Sequence, residues 1–241
     1  MSARPAPDDL IARRRPEMAL SSLVRGLSAQ TLFGSFAAVA AAVSDHAAEP
    51  LFPSEEKAVE WASAARRATF ASGRFCARAA LASLGRPPAA IPRGTAGEPL
   101  WPPGVVGSIA HTETFAAAVV ADDRVTRAVG LDVEDDSPLD DATSELVCRP
   151  DEIPPSLPAS LPRLRFAKLL FAIKEAVYKC HWPVERAFLE FEDVHVAVDF
   201  AAEGFRARVA TAKAGRNEVI EGVFANAGGL FVALAVLLRA D

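Results

Sequence analysis

Twice along this chain a long helix-forming stretch is followed by short strand-forming runs, and that recurrence limits the fold more than any other feature. Ser54 to Leu84 reads as the first helix, with Ser54 as cap, Glu55 and Glu56 in its first turn, and Gly85 and Pro87 after its end. A Gly/Pro-rich loop covers Gly85 to Gly107. Ser108 to Val120 and Val125 to Val133 then read as strands about a polar turn at Asp122-Asp123. A second helix starts after Ser160. Its apolar positions Phe166, Leu169, Leu170, Ile173, Val177 and Cys180 follow the helical repeat, and Trp182-Pro183 ends it. Phe188 to Asp199, Phe205 to Thr211, Glu218 to Ala225 and Leu230 to Leu238 form an antiparallel meander. Between the halves, Asp135 to Pro162 is acidic and then proline-rich, the composition of a mobile connection or lid.

No letter-level repeat accompanies this order. The economical architecture is α+β with two similar-sized lobes, each a long helix on a small antiparallel sheet. A flexible tail over residues 1–20 precedes an N-terminal lobe over 21–129 and a C-terminal lobe over 130–241. The 241 residues are enough for a substantial core without disulfides. Cys76, Cys148 and Cys180 are odd in number, widely spaced and without metal-ligand spacing, which suits a reduced cytoplasmic compartment. Arg13, Arg14 and Arg15 precede an apolar stretch broken by Arg25 and Gln30, so no signal peptide is read. The run Leu230 to Leu238 is too short to span a bilayer as a helix. A net charge of −5 gives no general attraction to nucleic acid or an anionic membrane, so an anion site has to be built locally.

Three clusters could build one. In Gly130-Leu131-Asp132-Val133-Glu134 the two carboxylates are two residues apart on a strand and project from one face. Glu175, within Phe171-Ala172-Ile173-Lys174-Glu175-Ala176-Val177-Tyr178-Lys179, can add a third oxygen from a helix. Hard oxygens suit Mg²⁺, which binds substrate phosphates beside one or two carboxylates, and the flanking lysines point to an anionic substrate. At about 100° per residue, Lys168, Glu175 and Lys179 fall within roughly 40° of one another. The same residues also describe a solvated helix face with a Glu175–Lys179 pair worth about 0.2–0.5 kcal/mol. Asp132 and Glu134, running on into Asp135 and Asp136, equally describe a solvated strand end.

On the first helix, Arg66, Arg67, Arg74 and Arg78 occupy an arc of roughly 120° with Phe70 among them. Guanidinium forks suit phosphate, although such a stripe can also be arginine stems covering apolar surface. The third cluster is Gly97-Glu98-Pro99-Leu100-Trp101-Pro102 with Gly107-Ser108-Ile109-Ala110-His111-Thr112. Its loop could cradle a flat base, with Ser108 and His111 donating to phosphate, or Trp101 and His111 could be structural.

Taken in order from Trp61 to Lys179, these segments resemble the 4′-phosphopantetheinyl transferases, in particular the two-lobed surfactin-type branch that includes enterobactin synthetase component D. The helix from Arg66 to Arg78 is similar to the family's arginine-bearing helix. Gly97-Glu98-Pro99 and Gly107 to His111 are similar to its coenzyme A segments. Gly130 to Glu134 and Lys174-Glu175 with Lys179 are similar to its two signature motifs. The resemblance implies a Mg²⁺-dependent (or Mn²⁺-dependent) cytoplasmic monomer. It would transfer the phosphopantetheine arm of coenzyme A to a serine of an acidic, helical acyl or peptidyl carrier protein and release adenosine 3′,5′-bisphosphate. Polyketide, nonribosomal peptide or siderophore assembly would be served.

The resemblance also assigns roles. Asp132, Glu134 and Glu175 would hold the metal on the pyrophosphate, with Glu175, directly or through water, or a metal-bound water as the base, and Asp132 and Lys179 as further catalytic residues. Ser108 and His111 would contact phosphates, Arg66 and Arg74 the 3′-phosphate region, and Gly97, Glu98 and Pro99 the adenine. Lys174 and Lys179 would neutralise the pyrophosphate or leaving group. Where relatives often place a lysine before Gly-Glu-Pro, this chain has Ala96, which loses one phosphate contact or moves it to Arg93. Ala110 stands where relatives often have serine. Arg163, Arg165 and Lys168 are the residues expected to meet the carrier. Two other readings use the same residues: a non-catalytic coenzyme A or carrier-binding module, and another Mg²⁺-dependent nucleotide phosphotransferase, the latter without a Walker-type loop.

Overall fold

The structure is a computed structural model and describes residues 36–210 and 217–239, with Pro16, Met18, Leu20 and Ser21. It is mixed α and β with antiparallel sheets. Strand β1 (Phe36–Ala42) leads through a helical turn at Val43–His46 and another at Pro53–Glu56 to helix α1 (Ala64–Ser83). Strands β2 (Val105–His111), β3 (Phe115–Asp122) and β4 (Thr126–Asp135) follow. Helices α2 (Asp141–Val147) and α3 (Arg163–Glu185) precede β5 (Val194–Asp199), β6 (Gly204–Ala210), β7 (Asn217–Ala227) and β8 (Leu230–Leu238). The strands form a three-stranded sheet in the order β1-β3-β2 and a five-stranded sheet in the order β4-β8-β7-β6-β5. The expected C-terminal meander is present, closed by β4 on its β8 edge; Thr211, expected at the end of one strand, lies outside the described residues.

Strand β3 explains how the layers stack. Its sequence Phe-Ala-Ala-Ala-Val-Val-Ala-Asp is buried throughout. Ala116, Ala118 and Val120 face Cys76, Ala77, Ala80 and Leu81 of α1, while Phe115, Ala117, Val119 and Ala121 face Leu131, Val133, Val232 and Leu234 of the other sheet. Period-two alternation thus serves two cores from one strand, and alanines, though weak strand formers, let the layers approach closely. The opposite face of the five-stranded sheet carries α3 through Phe166, Leu170, Ile173 and Val177. The order across the molecule is α1, small sheet, large sheet, α3. Leu20, in the segment expected to be tail, is buried in the core between the sheets; most of residues 1–20 lie outside the described residues.

Four local expectations are corrected. The first long helix begins at Ala64, capped by Ser63 Oγ, which accepts from Arg66 N at 3.2 Å, instead of at Ser54. Glu55 is drawn into the protein, where its carboxylate accepts from Ile91 N, Phe52 N and Arg78, and this bends the chain before α1. Ser108 to Val120 is a hairpin and not one strand, because Thr112 Oγ1 accepts from Thr114 N and Phe115 N and turns the chain. Pro183 does not end α3. With no N–H to satisfy, it sits in the last turn, and the helix closes at Arg186 in the left-handed region with φ 52°. Finally, the acidic and proline-rich connection is structured in part: it contains α2, and Glu152 within it is buried against α3.

Candidate functional site

The site forms where the edge strands β2 and β4 of the two sheets come together beneath one side of α3. A cavity of about 450 Å³ there is walled by Gly97 to Trp101, the β2 residues Val105 to Ile109, and Glu175, Tyr178, Lys179, Trp182 and Arg186 of α3 and its cap. At Gly97, Pro99 and Ile109 it meets a smaller cavity of about 100 Å³ lined by Arg66, Phe70, Arg74, Arg93 and His111. The sequence clusters on α1, the Gly-Glu-Pro loop, β2 and α3 therefore border two adjoining cavities of one cleft region.

Gly130 lets α3 take its place. A Cβ at Gly130 would stand 1.9 Å from the carbonyl oxygen of Ala176 and 2.5 Å from Cys180 N, so only glycine admits the helix backbone at this distance. The same face of β4 continues to Asp132 and Glu134. Lys179 Nζ donates to Asp132 Oδ1 at 2.5 Å, and Lys168 Nζ donates to Glu134 Oε2 at 2.7 Å. Asp132 is 4 % exposed, and its Oδ2 is buried with no hydrogen-bond partner among the described residues. Glu175 feels Asp132, Lys179 and Glu134 through their charges. Burial first, then the neighbouring Asp132, hold its carboxyl above the usual range, with Lys179 opposing. Burial also raises Glu134, against its bond from Lys168.

The three acids expected to share one cation are not gathered as a cage: among the described residues no three His, Cys, Asp or Glu side chains are placed to hold a metal together. Asp132 and Glu134 are each engaged by a lysine. The orphaned Asp132 Oδ2 is nonetheless a hard anionic oxygen lacking a donor, and with the Glu175 carboxylate it suits a divalent ion that takes the rest of its shell from water and phosphate.

The smaller cavity gathers positive charge. Arg74 Nε donates to Ile91 O at 2.8 Å and its guanidinium lies 4.1 Å from the Phe70 ring centroid. Burial depresses it to about 10, Glu55 counteracts this, and Arg78, Arg66 and Arg93 depress it further. Arg66 Nη1 donates to His111 Nε2 at 2.6 Å. Arginine cannot accept, so this nitrogen is unprotonated and the ring proton is on Nδ1. Burial, then the charges of Arg66 and Lys179, lower the His111 pKa and keep the ring neutral. Cations massed around a small opening are arranged for an anion with several oxygens.

Other expected residues stand differently. Ser108 is buried on the wall of the large cavity. Glu98 also lines it, with a carboxylate that accepts from Ala96 N at 3.0 Å and is held by Arg186 across the cleft. Lys174 is not in the cleft. It is 2 % exposed on the other side of α3, where Nζ donates to Glu152 Oε2 and Val147 O, both at 2.8 Å, and to Phe191 O at 2.9 Å. Its sequence neighbour Glu175 is about 100° away around the helix, which separates their surroundings. Of the residues expected to meet a carrier, Arg165 is tied to Asp136 and Ser160 O and Lys168 to Glu134, while Arg163 is exposed.

Sequence reasoning missed Tyr178, Trp182 and Arg186 as cleft residues. Counting three, seven and eleven residues on from Glu175 follows one face of α3 and would have found them. Trp101 is fixed by its Nε1, which donates to Gly107 O at 2.8 Å, and a side chain at Gly107 would collide with its ring.

Comparison with known proteins matches residues 54–121 to the 4′-phosphopantetheinyl transferase N-terminal domain and residues 128–221 to the 4′-phosphopantetheinyl transferase superfamily. The 4′-phosphopantetheinyl transferase PptT of Mycobacterium tuberculosis is 35 % identical over 194 residues, covering 79 % of this chain and 84 % of that protein. Svp of Streptomyces mobaraensis, another 4′-phosphopantetheinyl transferase, is 38 % identical over 183 residues, covering 74 % of each. Npt of Nocardia iowensis, of the same name, is 40 % identical over 147 residues, covering 61 % of this chain and 66 % of that protein. The two matched spans lie on either side of the turn between β3 and β4, ending at 121 and resuming at 128, where the small sheet gives way to the large one, and together they take in every wall of the cleft. A chain that matches on both sides of this join, and resembles PptT over most of its length, belongs to the 4′-phosphopantetheinyl transferase superfamily and is an enzyme of that class.

Proposed function

We propose that this enzyme binds coenzyme A in the cleft and transfers its phosphopantetheine arm to a serine of an acyl or peptidyl carrier protein. The observation that carries this reading is that the two cavities adjoin and share Gly97, Pro99 and Ile109 as walls. One end gathers Arg66, Arg74, Arg93 and His111 for phosphate, and the other presents Glu175 and Lys179 beside Asp132 for chemistry. The 3′-phosphate of coenzyme A occupies the arginine end and the adenine lies by Gly97 and Pro99. Arg93 lines that cavity while Ala96 lines only the larger one, in keeping with a phosphate contact moved to Arg93.

Asp132 and Glu175, with Glu134 beside Asp132 on the same face of β4, would hold Mg²⁺ or Mn²⁺, which when bound would supply positive charge at the pyrophosphate. Lys179, already beside Asp132, adds positive charge where the leaving oxygen develops its own. Glu175, directly or through a water, takes the proton of the serine hydroxyl. The serine oxygen bonds to the phosphorus that carries pantetheine. The bond from that phosphorus to the bridging oxygen breaks, and adenosine 3′,5′-bisphosphate leaves with the oxygen.

The two lobes are read as one helix-on-sheet unit repeated, with coenzyme A binding in the N-terminal one and the metal helix in the C-terminal one. The division between them, read at residues 129 and 130, falls within β4, which pairs along its length with β8 of the C-terminal sheet. No helix among the described residues is long and apolar enough to cross a membrane. Incubation with coenzyme A, Mg²⁺ and apo carrier proteins, followed by mass spectrometry, tests the function. The carrier gains the mass of one phosphopantetheine; no gain on any of a panel of fatty acid, polyketide and peptide carriers refutes it.

A further inference from the structure

We propose that Arg78, which lines neither cavity, keeps Arg74 available to an anion by occupying the buried carboxylate of Glu55. Arg78 is then a positioning residue for phosphate recognition. The inference rests on reading the arginine end of the cleft as the seat of the 3′-phosphate, and goes beyond it by naming what holds that end positive.

Glu55 is wholly buried, and its carboxylate is fixed by backbone: it accepts from Phe52 N at 2.9 Å and from Ile91 N at 2.8 Å. Arg78 is its closer cation. Nη1 of Arg78 donates to Glu55 Oε2 at 3.2 Å, Nη2 donates to Pro50 O at 3.0 Å, and the guanidinium lies 5.7 Å from the Phe52 ring centroid. Arg74 is held differently. Its Nε donates to Ile91 O at 2.8 Å and stands 3.9 Å from Glu55 Oε1, beyond hydrogen-bond reach. Among the described residues nothing hydrogen-bonds its Nη1 or Nη2, and Arg74 lines the smaller cavity.

Charge leads to the same assignment. Two arginines and one glutamate leave a single positive charge in this buried trio, and Arg74 is the member at the cavity. Without Arg78 the trio is neutral. Glu55 then has only Arg74 to pair with, already at ion-pair distance, and in a dry interior that pairing draws the guanidinium from the cavity. One residue on, Glu56 engages Arg67 at the surface. The acidic turn thereby sorts the arginine stripe of α1: Arg67 and Arg78 are held by carboxylates, while Arg66 and Arg74 face the cavity.

KM and kcat for coenzyme A and for dephospho-coenzyme A, measured on the full chain with an apo carrier protein, test this. Arg78→Gln lowers the preference for coenzyme A, taken as the ratio of the two KM values, about tenfold, the loss of one charge-assisted contact. Its kcat and its KM for dephospho-coenzyme A stay within about twofold of wild type, because neither the reacting end nor the rest of the donor is touched. Arg78→Gln combined with Glu55→Gln restores the single positive charge and brings the preference back to within about threefold of wild type. Glu55→Gln alone leaves the preference at or above that of wild type. Circular dichroism and thermal melts establish that each variant is folded. If Arg78→Gln does not fold, the other two variants decide, and a lost preference in either overturns the inference.

A wild-type preference in folded Arg78→Gln also overturns it. So does a double variant that loses as much as the single one, or a KM that rises equally for both donors, since either result marks a merely structural role. Wild-type protein that does not distinguish the two donors refutes the 3′-phosphate reading itself, and this inference with it.

Discussion

The carbonyl oxygen of Ala176 occupies the position a side chain at Gly130 would need, with only 1.9 Å between it and a Cβ built there. This contact sets the distance from α3 to β4 and so the distance from Glu175 and Lys179 to Asp132. Gly130→Ala must push the helix outward. The expected cost is about 1–3 kcal/mol of stability from overpacking. Transfer activity falls further, by about a hundredfold, because a displacement near 1 Å at reacting groups carries that penalty. Chemical denaturation and single-turnover kinetics on the same preparation check both effects; wild-type turnover in a folded variant would show that the helix position is not critical.

The acids on either side of this contact should separate chemistry from binding. Glu175→Gln keeps the shape but removes both the proton acceptor and an anionic metal oxygen, so kcat falls by about 10²–10⁴-fold even at saturating Mg²⁺. Asp132→Asn lowers kcat as well and also raises the Mg²⁺ concentration needed for half-maximal rate, because it removes a hard anionic oxygen. Initial rates across Mg²⁺ and coenzyme A concentrations distinguish the two variants. Equal Mg²⁺ dependence in Asp132→Asn and wild type would remove Asp132 from the metal.

At the other end of the cleft, Arg66→Gln removes one charge-assisted donor and the partner of His111. Such a bond contributes about 1.5–3 kcal/mol, so KM for coenzyme A rises tenfold or more. Dephospho-coenzyme A lacks the 3′-phosphate, and its KM should be unchanged by the substitution. A parallel rise for both donors would place the 3′-phosphate elsewhere.

Periodicity and local turn chemistry made much of the fold legible before any coordinates. The alternation of β6, the apolar run of β8, the helical repeat from Phe166 to Cys180, and the shared strand face of Asp132 and Glu134 are local properties, and each was readable. What was not readable depended on partners distant in sequence. Ser54 looked like a cap because nothing nearby shows that Glu55 will be buried against Arg78 and the amide of Ile91. Lys174 looked like a phosphate ligand because it adjoins Glu175, but the direction of a helical side chain follows from which stripe the core takes. Here the Lys174 side of α3 packs on the connection that carries Val147 and Glu152. Lys168 fell correctly on the polar face with Glu175, yet only the crossing of α3 over β4 brings it to Glu134.

The burial of Lys174 supports a stability prediction independent of the chemistry. Its ammonium satisfies Glu152 and two carbonyls, and burial lowers its pKa while Glu152 opposes that shift. Lys174→Met leaves Glu152 buried with its bond from Val196 N but without a cation, at a cost of about 3–5 kcal/mol. Lys174→Met with Glu152→Gln should recover part of the loss by removing the stranded charge. Urea denaturation of the two variants checks the order, and a double variant no more stable than the single one would show that the charge is not the source.

Glu175 should reveal itself by the pH dependence of stability. Its carboxyl is held above the ordinary value of 4.5 by burial and then by Asp132. Between 4.5 and the raised folded value the native state binds more protons at this group than the unfolded chain does, so its contribution to stability falls as pH rises through that window. Above the window the full penalty of holding an ionised Glu175 beside Asp132 is in force. Glu175→Gln carries no such penalty and should melt at a higher temperature than wild type at neutral pH, while losing its catalysis. The advantage should shrink as pH is lowered and vanish below 4.5, where both states of the wild type are protonated. Paired thermal melts of the two proteins from neutral to acidic pH give the difference directly. Glutamine that destabilises at neutral pH would mean that Glu175 makes favourable contacts outweighing its repulsion from Asp132.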